Sequence, residues 1–180
     1  IAREKRTNPG APITVLHNLL TSKVVEERIK LAGATPVRTK VGHSLIKEEM
    51  AATNAVFGGE HSGHFYFTDF WRADSGMLAA LHVLAALGSA PPGTTLSSLL
   101  ARYDRYVASG EINSTVADQA LVLADIRRRW ADRDGVTIDE LDGLTVTGDD
   151  WWFNVRASNT EPLLRLNVEA KENATLETIR

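Results

Sequence analysis

Short apolar runs alternate with amphipathic segments in the first part of the chain. Residues 13–17 are apolar and β-branched, which predicts a buried strand, and Ser22 is expected to cap the helix that follows. A second strand is expected at residues 35–41, then a helix capped by Ser44, and then a third strand at residues 55–57. This βαβαβ order predicts an α/β lobe with a mostly parallel sheet.

Further strand and helix patterns complete this lobe. An aromatic strand-like stretch, HFYFTDF, begins at His64, and a helix is expected to begin near Asp74 and to end at Gly88. Residues 77–87 are apolar except for one histidine, which predicts that this helix is buried. A last helix is expected from residue 94 or 95 to about residue 106.

The pattern changes beyond this point to one long helix among short strands. The helix is expected at residues 117–132, and Gly-Asp-Asp at residues 148–150 predicts a hairpin. The expected strands are a stretch ending at residue 116 and short runs at 136–138, 144–147, 151–155 and 163–168. We therefore predict two domains, an α/β domain at residues 1–108 and a smaller α+β domain with an antiparallel sheet at residues 109–180.

Composition narrows the classes of function. The 180 residues carry 20 Lys and Arg against 23 Asp and Glu, which is too balanced for binding nucleic acid or an anionic membrane by bulk charge. The absence of cysteine excludes thiolate catalysis and Cys-ligated metals, and it fits a reducing cytoplasm. The longest apolar run falls well short of the roughly 20 residues that span a bilayer. The chain begins without Met and ends inside a helical pattern, so we expect a fragment.

A glycine-rich loop, GGEHSGH at residues 58–64, follows the third predicted strand. Ligands of open α/β sheets bind at the carboxyl ends of strands, where this loop is expected. Glu60, Ser62 and His64 alternate, so an extended loop would project them together. Because a carboxylate beside a hydroxyl suits the adjacent hydroxyls of a sugar, the loop is a candidate sugar site. A polar turn without a ligand is the alternative.

Other polar residues are expected near this loop. Glu60, His61 and His64 have the chemistry of zinc ligands, but ligands so close in one loop have awkward geometry and no well-spaced partner exists, so we predict no metal site. His43 and Lys23 follow the other two strands and would share the same rim of the sheet. The alternatives are a turn histidine bonded to backbone and a solvated lysine.

A second polar constellation lies between two predicted strands of the second domain. Arg156, Ser158, Asn159 and Thr160 bring a guanidinium, two hydroxyls and an amide into one short loop, and Pro162 stiffens its exit. Such a loop can hold a phosphate dianion through charge-assisted hydrogen bonds. A polar hairpin is the alternative.

Three strings in this order, KVGHSLIKEEM, GGEHSGH and RASNTEPLLRLNVEA, resemble the α-D-phosphohexomutases over nearly the whole chain. The residues of these strings are more similar to the phosphomannomutase branch than to the phosphoglucosamine branch, whose motifs resemble GEQSGH and RPSGTEP. The family has four domains around a cleft, and this chain is similar only to the third and fourth. The family's phosphoserine loop, T-A-S-H-N-P, and its metal loop, D-G-D-x-D-R, do not occur in the chain.

The resemblance implies roles for the residues already singled out. Those that would contact the sugar hydroxyls are Glu60 and Ser62. Those that would line the cleft, with one or more of them assisting proton transfer, are Lys23, His43 and His64. Those that would bind the phosphate that is not being transferred are Arg156, Ser158, Asn159 and Thr160.

The resemblance also implies an activity and its requirements. The reaction would interconvert mannose 6-phosphate and mannose 1-phosphate through a bisphosphorylated sugar, with glucose or mannose 1,6-bisphosphate as activator. Mg²⁺ would bind outside this chain, in the missing N-terminal domains, so the chain alone is expected to be inactive. Dual phosphoglucomutase/phosphomannomutase activity, phosphoglucosamine mutase activity and a non-catalytic sugar-phosphate-binding module remain as alternatives.

Overall fold

The computed structural model describes residues 1–158 and 161–180 and divides the chain into two units, Ile1–Arg105 and Tyr106–Arg180. The predicted residues Asn159 and Thr160 lie outside the described residues. This division falls close to the predicted boundary between residues 108 and 109, while the assignment of sugar binding to one domain and phosphate binding to the other stays a prediction.

The first unit is built on a mixed sheet with strand order β2-β1-β3-β4-β5. Its strands are β1 (Thr14–Asn18), β2 (Thr35–Thr39), β3 (Phe57–Gly59), β4 (Phe65–Phe67) and β5 (Ala73–Asp74). Its α-helices are α1 (Ala2–Thr7), α2 (Lys23–Leu31), α3 (His43–Thr53), α4 (Gly76–Gly88) and α5 (Leu96–Leu100). Strand β1 pairs in parallel with β2 and β3, whereas β4 and β5 are antiparallel additions, so the predicted α/β class is confirmed.

The second unit is an antiparallel sheet with strand order β6-β10-β9-β8-β7. Its strands are β6 (Val107–Thr115), β7 (Thr137–Asp139), β8 (Leu144–Thr147), β9 (Trp151–Ala157) and β10 (Leu163–Ala170), and its helices are α6 (Gln119–Ala131) and α7 (Asn173–Ile179). The predicted hairpin joins β8 to β9, where the Gly148 amide donates to the Trp151 carbonyl at 3.0 Å. The α+β prediction is confirmed.

Each unit has its own apolar core. In the first, Leu16 of β1, Ile46 and Met50 of α3 and Tyr66 of β4 pack together and are almost completely buried. In the second, apolar residues of the antiparallel sheet pack with Leu176 of α7. The predicted cap Ser22 is confirmed, because its hydroxyl accepts from the amide of Val24. These contacts fix the strand ends from which the polar loops leave.

The prediction of a buried helix at residues 77–87 is wrong. Helix α4 has no buried residue, and Met77 and Leu84 are 78% and 61% exposed. The sequence shows how apolar a helix is, but burial also needs a facing surface, and too little of the described part of the chain covers α4. Its cap is Ser75, whose hydroxyl accepts from the amide of Leu78, and Asp74 belongs to β5. Among the described residues, no helix has both the length and the apolar character needed to cross a membrane.

The ends of α3 also differ from the prediction. Gly42 precedes the helix, and no side chain caps it, so Ser44 is not the cap and His43 is the first helical residue rather than a turn residue. At the other end, Asn54 adopts a left-handed conformation and the Ala55 amide still donates to the carbonyl of Met50. Since these residues close the helix, the third strand begins two residues later than predicted. The last predicted helix of the domain is also shorter, because α5 ends at Leu100 and a 3₁₀ turn follows.

Candidate active-site halves

Asn18, the last residue of β1, connects the strand to the glycine-rich loop. Its side chain is buried, and its carbonyl oxygen accepts from the amides of Leu20, at 3.3 Å, and His61, at 3.2 Å. Both the turn after β1 and the loop after β3 are therefore held at the carboxyl end of the parallel strands, the edge where ligands of such sheets bind.

The loop at residues 60–64 is a tight turn and not the extended segment that we predicted. The Glu60 amide donates to the His64 carbonyl at 2.9 Å, and the Gly63 amide donates to the Glu60 carbonyl at 3.1 Å. Gly63 has φ +85°, a value that side chains disfavour. The turn buries Glu60 while it leaves Ser62 exposed, so alternation along the sequence does not describe how these side chains project.

The Glu60 carboxylate is buried and held by several donors. Its Oε2 accepts from the Ser62 hydroxyl at 3.0 Å, and its Oε1 lies 3.4 Å from the Gly42 amide and 3.5 Å from the Tyr66 hydroxyl. Only the first contact has ordinary hydrogen-bond length, and the two others are weak. The carboxylate is thus fixed in place and retains acceptor capacity for a further donor.

His64 is oriented by Asp74, which the sequence pattern had assigned to a helix start. The Nδ1 of His64 lies 2.6 Å from Oδ2 of Asp74, and Oδ1 of Asp74 accepts from the Phe65 amide at 2.9 Å. Burial acts to raise the pKa of Asp74, but the hydrogen bonds from His64 and Phe65 outweigh it and hold the pKa below its ordinary value. Because an ionised carboxylate only accepts, Nδ1 carries the hydrogen and Nε2 is the nitrogen left for a ligand.

His43 lies beside His64, at the start of α3. The two ring centroids are 4.2 Å apart with the ring planes at 67°, and Nδ1 of His43 lies 2.8 Å from the Tyr66 hydroxyl. Burial and the nearby charge of Glu60 raise the pKa of Tyr66, so the phenol keeps its proton. We call the group joined by these contacts the rim cluster. It consists of His43, Glu60, Ser62, His64, Tyr66 and Asp74.

Lys23 is the first residue of α2 and is half-buried at the same edge of the sheet, where β1 leads into α2. The structure joins His43, Glu60, Ser62 and His64 of the predicted site in one cluster, in which Tyr66 links His43 to Glu60. Lys23 lies near the same strand ends because β1 leads into α2 at this edge of the sheet.

The rim cluster includes groups with metal-ligand chemistry. His43, His64 and Asp74 can each offer one ligand atom, and these atoms lie within 4.8 Å of one another. Mg²⁺, the ion that the family resemblance implies, prefers oxygen ligands. Two imidazoles and one carboxylate therefore do not fit Mg²⁺, and these three residues do not form its site.

In the second unit, Arg156 of β9 stands directly opposite Arg165 of β10, and both face Glu111 of β6. Glu111 lies 3.8 Å from Arg156 and 3.5 Å from Arg165, while the exposed Glu161 lies 3.9 Å from Arg165. The Nε atoms of both arginines are buried and have no acceptor among the described residues. We call Arg156 and Arg165 the arginine pair. The side chains of Arg156 and Arg165 are 18% and 30% exposed, so the outer nitrogens of both guanidiniums remain within reach of an oxyanion.

Gly143 allows the backbone to approach Arg156 closely. A Cβ at this position would lie 2.5 Å from the Val155 carbonyl oxygen and 2.6 Å from Cβ of Arg156, and Gly143 also has φ +71°. Both features exclude a side chain. In the loop after β9, the Ser158 amide donates to the Leu163 carbonyl at 2.9 Å, which brings the two strand ends together.

Several residues of these two sites could not be found from the sequence. Tyr66 lies in a stretch whose pattern indicated only a strand, Asp74 was expected at the start of a helix, and no short spacing linked either residue to the histidines. Arg165 offered a signal, because it is a lone cation within an otherwise apolar strand pattern, LLRLNV. Glu111 gave none, since its partners lie on strands far along the chain.

Comparison with protein families agrees with this fold in both units. Residues 1–106 match the model described as phosphoglucomutase/phosphomannomutase, alpha/beta/alpha domain III, and residues 111–180 match that of the phosphoglucomutase/phosphomannomutase C-terminal domain. The chain therefore belongs to the phosphoglucomutase/phosphomannomutase family, of which it comprises the third and fourth domains. The resemblance noted from the sequence is confirmed.

Individual relatives are longer than this chain. It is 40% identical to a phosphomannomutase of Salmonella montevideo over 96% of its own length, which is 37% of that protein. A phosphoglucomutase/phosphomannomutase family protein of Burkholderia thailandensis has a similar structure, with TM-score 0.81, 28% identity and coverage of 98% of this chain and 37% of that one.

A more distant structure shares the fold. N-acetylphosphoglucosamine mutase of Aspergillus fumigatus, solved in complex with GlcNAc-6P and magnesium, has TM-score 0.64 at 18% identity, over 99% of this chain and 39% of that one. The same mutase has also been solved with glucose 1,6-bisphosphate.

Proposed function

We propose that this chain is the C-terminal part of a phosphomannomutase, an isomerase that interconverts mannose 6-phosphate and mannose 1-phosphate through a bisphosphorylated intermediate. The chain supplies recognition of the sugar and of the phosphate that is not being transferred. The observation that carries the proposal is the arginine pair, two adjacent and partly exposed guanidiniums that face the single carboxylate of Glu111 at 3.8 and 3.5 Å.

The arginine pair binds the phosphate that stays on the substrate. A phosphate dianion accepts several charge-assisted hydrogen bonds, so it satisfies donors that Glu111 alone does not reach. Three further residues of the predicted phosphate loop are proposed to add donors around the same anion. They are Ser158, Asn159 and Thr160.

Glu60 and Ser62 recognise the sugar hydroxyls. Their mutual hydrogen bond holds the carboxylate in position before the sugar arrives, and the free lone pairs of Glu60 accept from two adjacent hydroxyls. Because a loop that contacts the hydroxyls at carbons 3 and 4 does not sense the orientation at carbon 2, glucose phosphates are the closest competing substrates.

His64 is the proposed general base. Asp74 fixes the hydrogen on Nδ1, so Nε2 can take the proton of the sugar hydroxyl that receives the phosphoryl group and return it in the reverse step. His43 and Lys23 assist by stabilising the negative charge that develops on the sugar oxygens. His43 itself is held by Tyr66.

The chemistry of transfer is proposed to depend on the rest of a longer protein in the cytoplasm. The Aspergillus complexes with magnesium and with glucose 1,6-bisphosphate support Mg²⁺ as the cofactor and a hexose bisphosphate as the activator. The nucleophile and the Mg²⁺ ligands are expected in the missing N-terminal domains, where a metal would neutralise charge on the transferred group. The 180-residue chain alone is therefore proposed to bind and not to turn over.

Two assays test this proposal. In the first, the 180-residue chain is titrated by calorimetry with mannose 1-phosphate, inorganic phosphate and unphosphorylated mannose. Binding is expected to be tightest for the phosphosugar, weaker for inorganic phosphate and weakest for mannose. Equal binding of mannose and mannose 1-phosphate would contradict phosphate recognition.

In the second assay, the chain is incubated with mannose 1-phosphate, glucose 1,6-bisphosphate and Mg²⁺, and the formation of mannose 6-phosphate is measured. We expect no turnover above the rate without protein. Turnover near the rate of a complete relative would show that the chemistry does not depend on other domains.

A further inference from the structure

We propose that His43 and His64, supported by Asp74, bind a zinc-class divalent ion, and that this ion competes with the sugar phosphate. The competition rests on the proposed function, whereas the binding of the ion does not. The proposal also replaces the ligand set considered from the sequence, in which His61 stood beside His64: the structure brings His43 and Asp74 to His64 instead.

The geometry leaves one ligand atom available on each ring. Nδ1 of His43 contacts the Tyr66 hydroxyl at 2.8 Å, and Nδ1 of His64 contacts Asp74 at 2.6 Å, so Nε2 of each histidine is the atom that remains. The ring centroids are only 4.2 Å apart. A carboxylate that holds the far nitrogen of an imidazole is the arrangement found beside metal-ligating histidines, where it fixes the ring and raises its basicity.

The donor set selects the kind of ion. Imidazole nitrogens suit Zn²⁺ and its neighbours in the transition series, while Mg²⁺ needs oxygen. Zn–N distances of about 2.0–2.1 Å place two ligand atoms of a tetrahedral ion about 3.4 Å apart. One candidate ligand atom each of His43, His64 and Asp74 lies within 4.8 Å of the others, so the two rings must turn for both Nε2 atoms to reach one ion. His43 is exposed and can rotate to do so. The negative charge of the nearby Glu60 further favours a cation.

Occupancy by the ion would block the proposed proton transfer. Nε2 of His64 cannot both coordinate a metal and accept a proton, and an ion held by His43 would lie close to Tyr66, whose hydroxyl contacts both His43 and Glu60. Zinc is therefore expected to inhibit sugar recognition at this site, in contrast to the Mg²⁺ that the reaction is proposed to need elsewhere.

The experiment is a calorimetric titration of the 180-residue chain with ZnCl₂ and, separately, with MgCl₂. We expect a single zinc site, no comparable magnesium site and about tenfold or greater loss of zinc affinity in Asp74→Asn, as for other carboxylates behind ligating histidines. His64→Gln and His43→Gln should each abolish the site. The matched control is His61→Ala, an exposed histidine of the same turn, which should leave zinc affinity unchanged. Circular dichroism of each variant verifies the fold.

The outcomes separate the two proposals. Unchanged zinc affinity in His64→Gln, or loss in His61→Ala equal to that in His64→Gln, overturns the metal site and leaves the mutase proposal untouched. In a second titration, mannose 1-phosphate is added first and should lower the apparent zinc affinity. If zinc binds through His43 and His64 but the sugar phosphate does not compete, the ion site stands and the placement of the sugar is wrong.

Discussion

The two candidate sites differ in how far their polar groups are already paired within the protein. In the rim cluster each side chain already has a protein partner, as in the contacts of Ser62 with Glu60 and of Asp74 with His64. In the arginine pair, buried donors have none among the described residues, and two guanidiniums share Glu111. The first arrangement fixes the orientation of its side chains. The second leaves two guanidiniums with a single shared carboxylate, so it can bind a further anion.

Under the proposed function, this difference gives the two units different energetic tasks. A ligand at the rim cluster would add hydrogen bonds to side chains that are already partly satisfied, so its net gain should be small and should depend on geometry. An anion at the arginine pair would gain charge-assisted hydrogen bonds from the exposed nitrogens of two guanidiniums, so its gain should be larger and should depend little on the rest of the ligand. Affinity for phosphosugars should therefore reside in the second unit and discrimination among sugars in the first.

The largest expected effect concerns the backbone that packs against Arg156. Gly143→Ala places a Cβ 2.5 Å from a carbonyl oxygen at φ +71°, and we expect it to lower the free energy of unfolding by about 3 kcal/mol. Gly135→Ala is the matched control, since Gly135 has φ +73° but nothing within 4 Å of a Cβ. Its cost should be about 1 kcal/mol from conformational strain alone. Urea unfolding measures both, and equal costs would show that the close approach is not rigid.

The sequence predicted the order of the elements because periodicity and turn residues record local preferences. The strands, the hairpin after β8 and the Ser22 cap all follow from residues close together in the chain. The predictions that proved wrong are those that depend on residues far apart in the chain. Helix α4 is apolar yet exposed, because the pattern of a helix says nothing about whether another surface faces it.

The same limit applies to the candidate sites. The pattern singled out Glu60, Ser62, His43 and His64 because they lie close to strand ends, three of them around the turn after β3 and His43 at the start of α3. Tyr66, Asp74 and Glu111 were not singled out, because each joins its cluster through strand pairing. Arg165 was visible only as a lone cation in an apolar strand pattern, and its partner became clear from the register that sets it opposite Arg156.

The next largest effect tests whether the arginine pair supplies the affinity. Arg156→Ala should weaken binding of mannose 1-phosphate and of inorganic phosphate by about 2 kcal/mol each, because it removes charge-assisted hydrogen bonds common to both ligands. Lys171→Ala is the control, an exposed cation of the same unit that pairs with Asp150. If calorimetry finds that Arg156→Ala weakens the binding of the phosphosugar but not the binding of inorganic phosphate, the result would contradict a phosphate site.

A smaller and more selective effect is expected at Glu60. Glu60→Gln keeps the shape of the side chain but replaces one acceptor with a donor. It should therefore weaken the binding of mannose 1-phosphate by about 1 kcal/mol and leave the binding of inorganic phosphate unchanged. Glu48→Gln, an exposed carboxylate of α3, controls for the loss of one negative charge. Both ligands are titrated by calorimetry, and equal weakening of the two would remove the proposed division of tasks between the units.

The smallest effect concerns the stability that the rim cluster draws from Asp74. The pKa of this carboxyl is held below its ordinary value of 3.8 in the folded chain, so its contribution to stability is fully present above that value and is lost as the pH falls through the lower folded pKa. Asp74→Asn removes the contribution at every pH. We therefore expect wild type to exceed the variant by about 1 kcal/mol in free energy of unfolding at pH 6, and the difference to narrow as the pH is lowered below about 4.

Urea unfolding at a series of pH values measures the difference, and Asp104→Asn, at an exposed position, should show little difference from wild type. A gap between wild type and Asp74→Asn that stays constant down to about pH 3 would show that Asp74 stabilises the fold by shape and not by its charge.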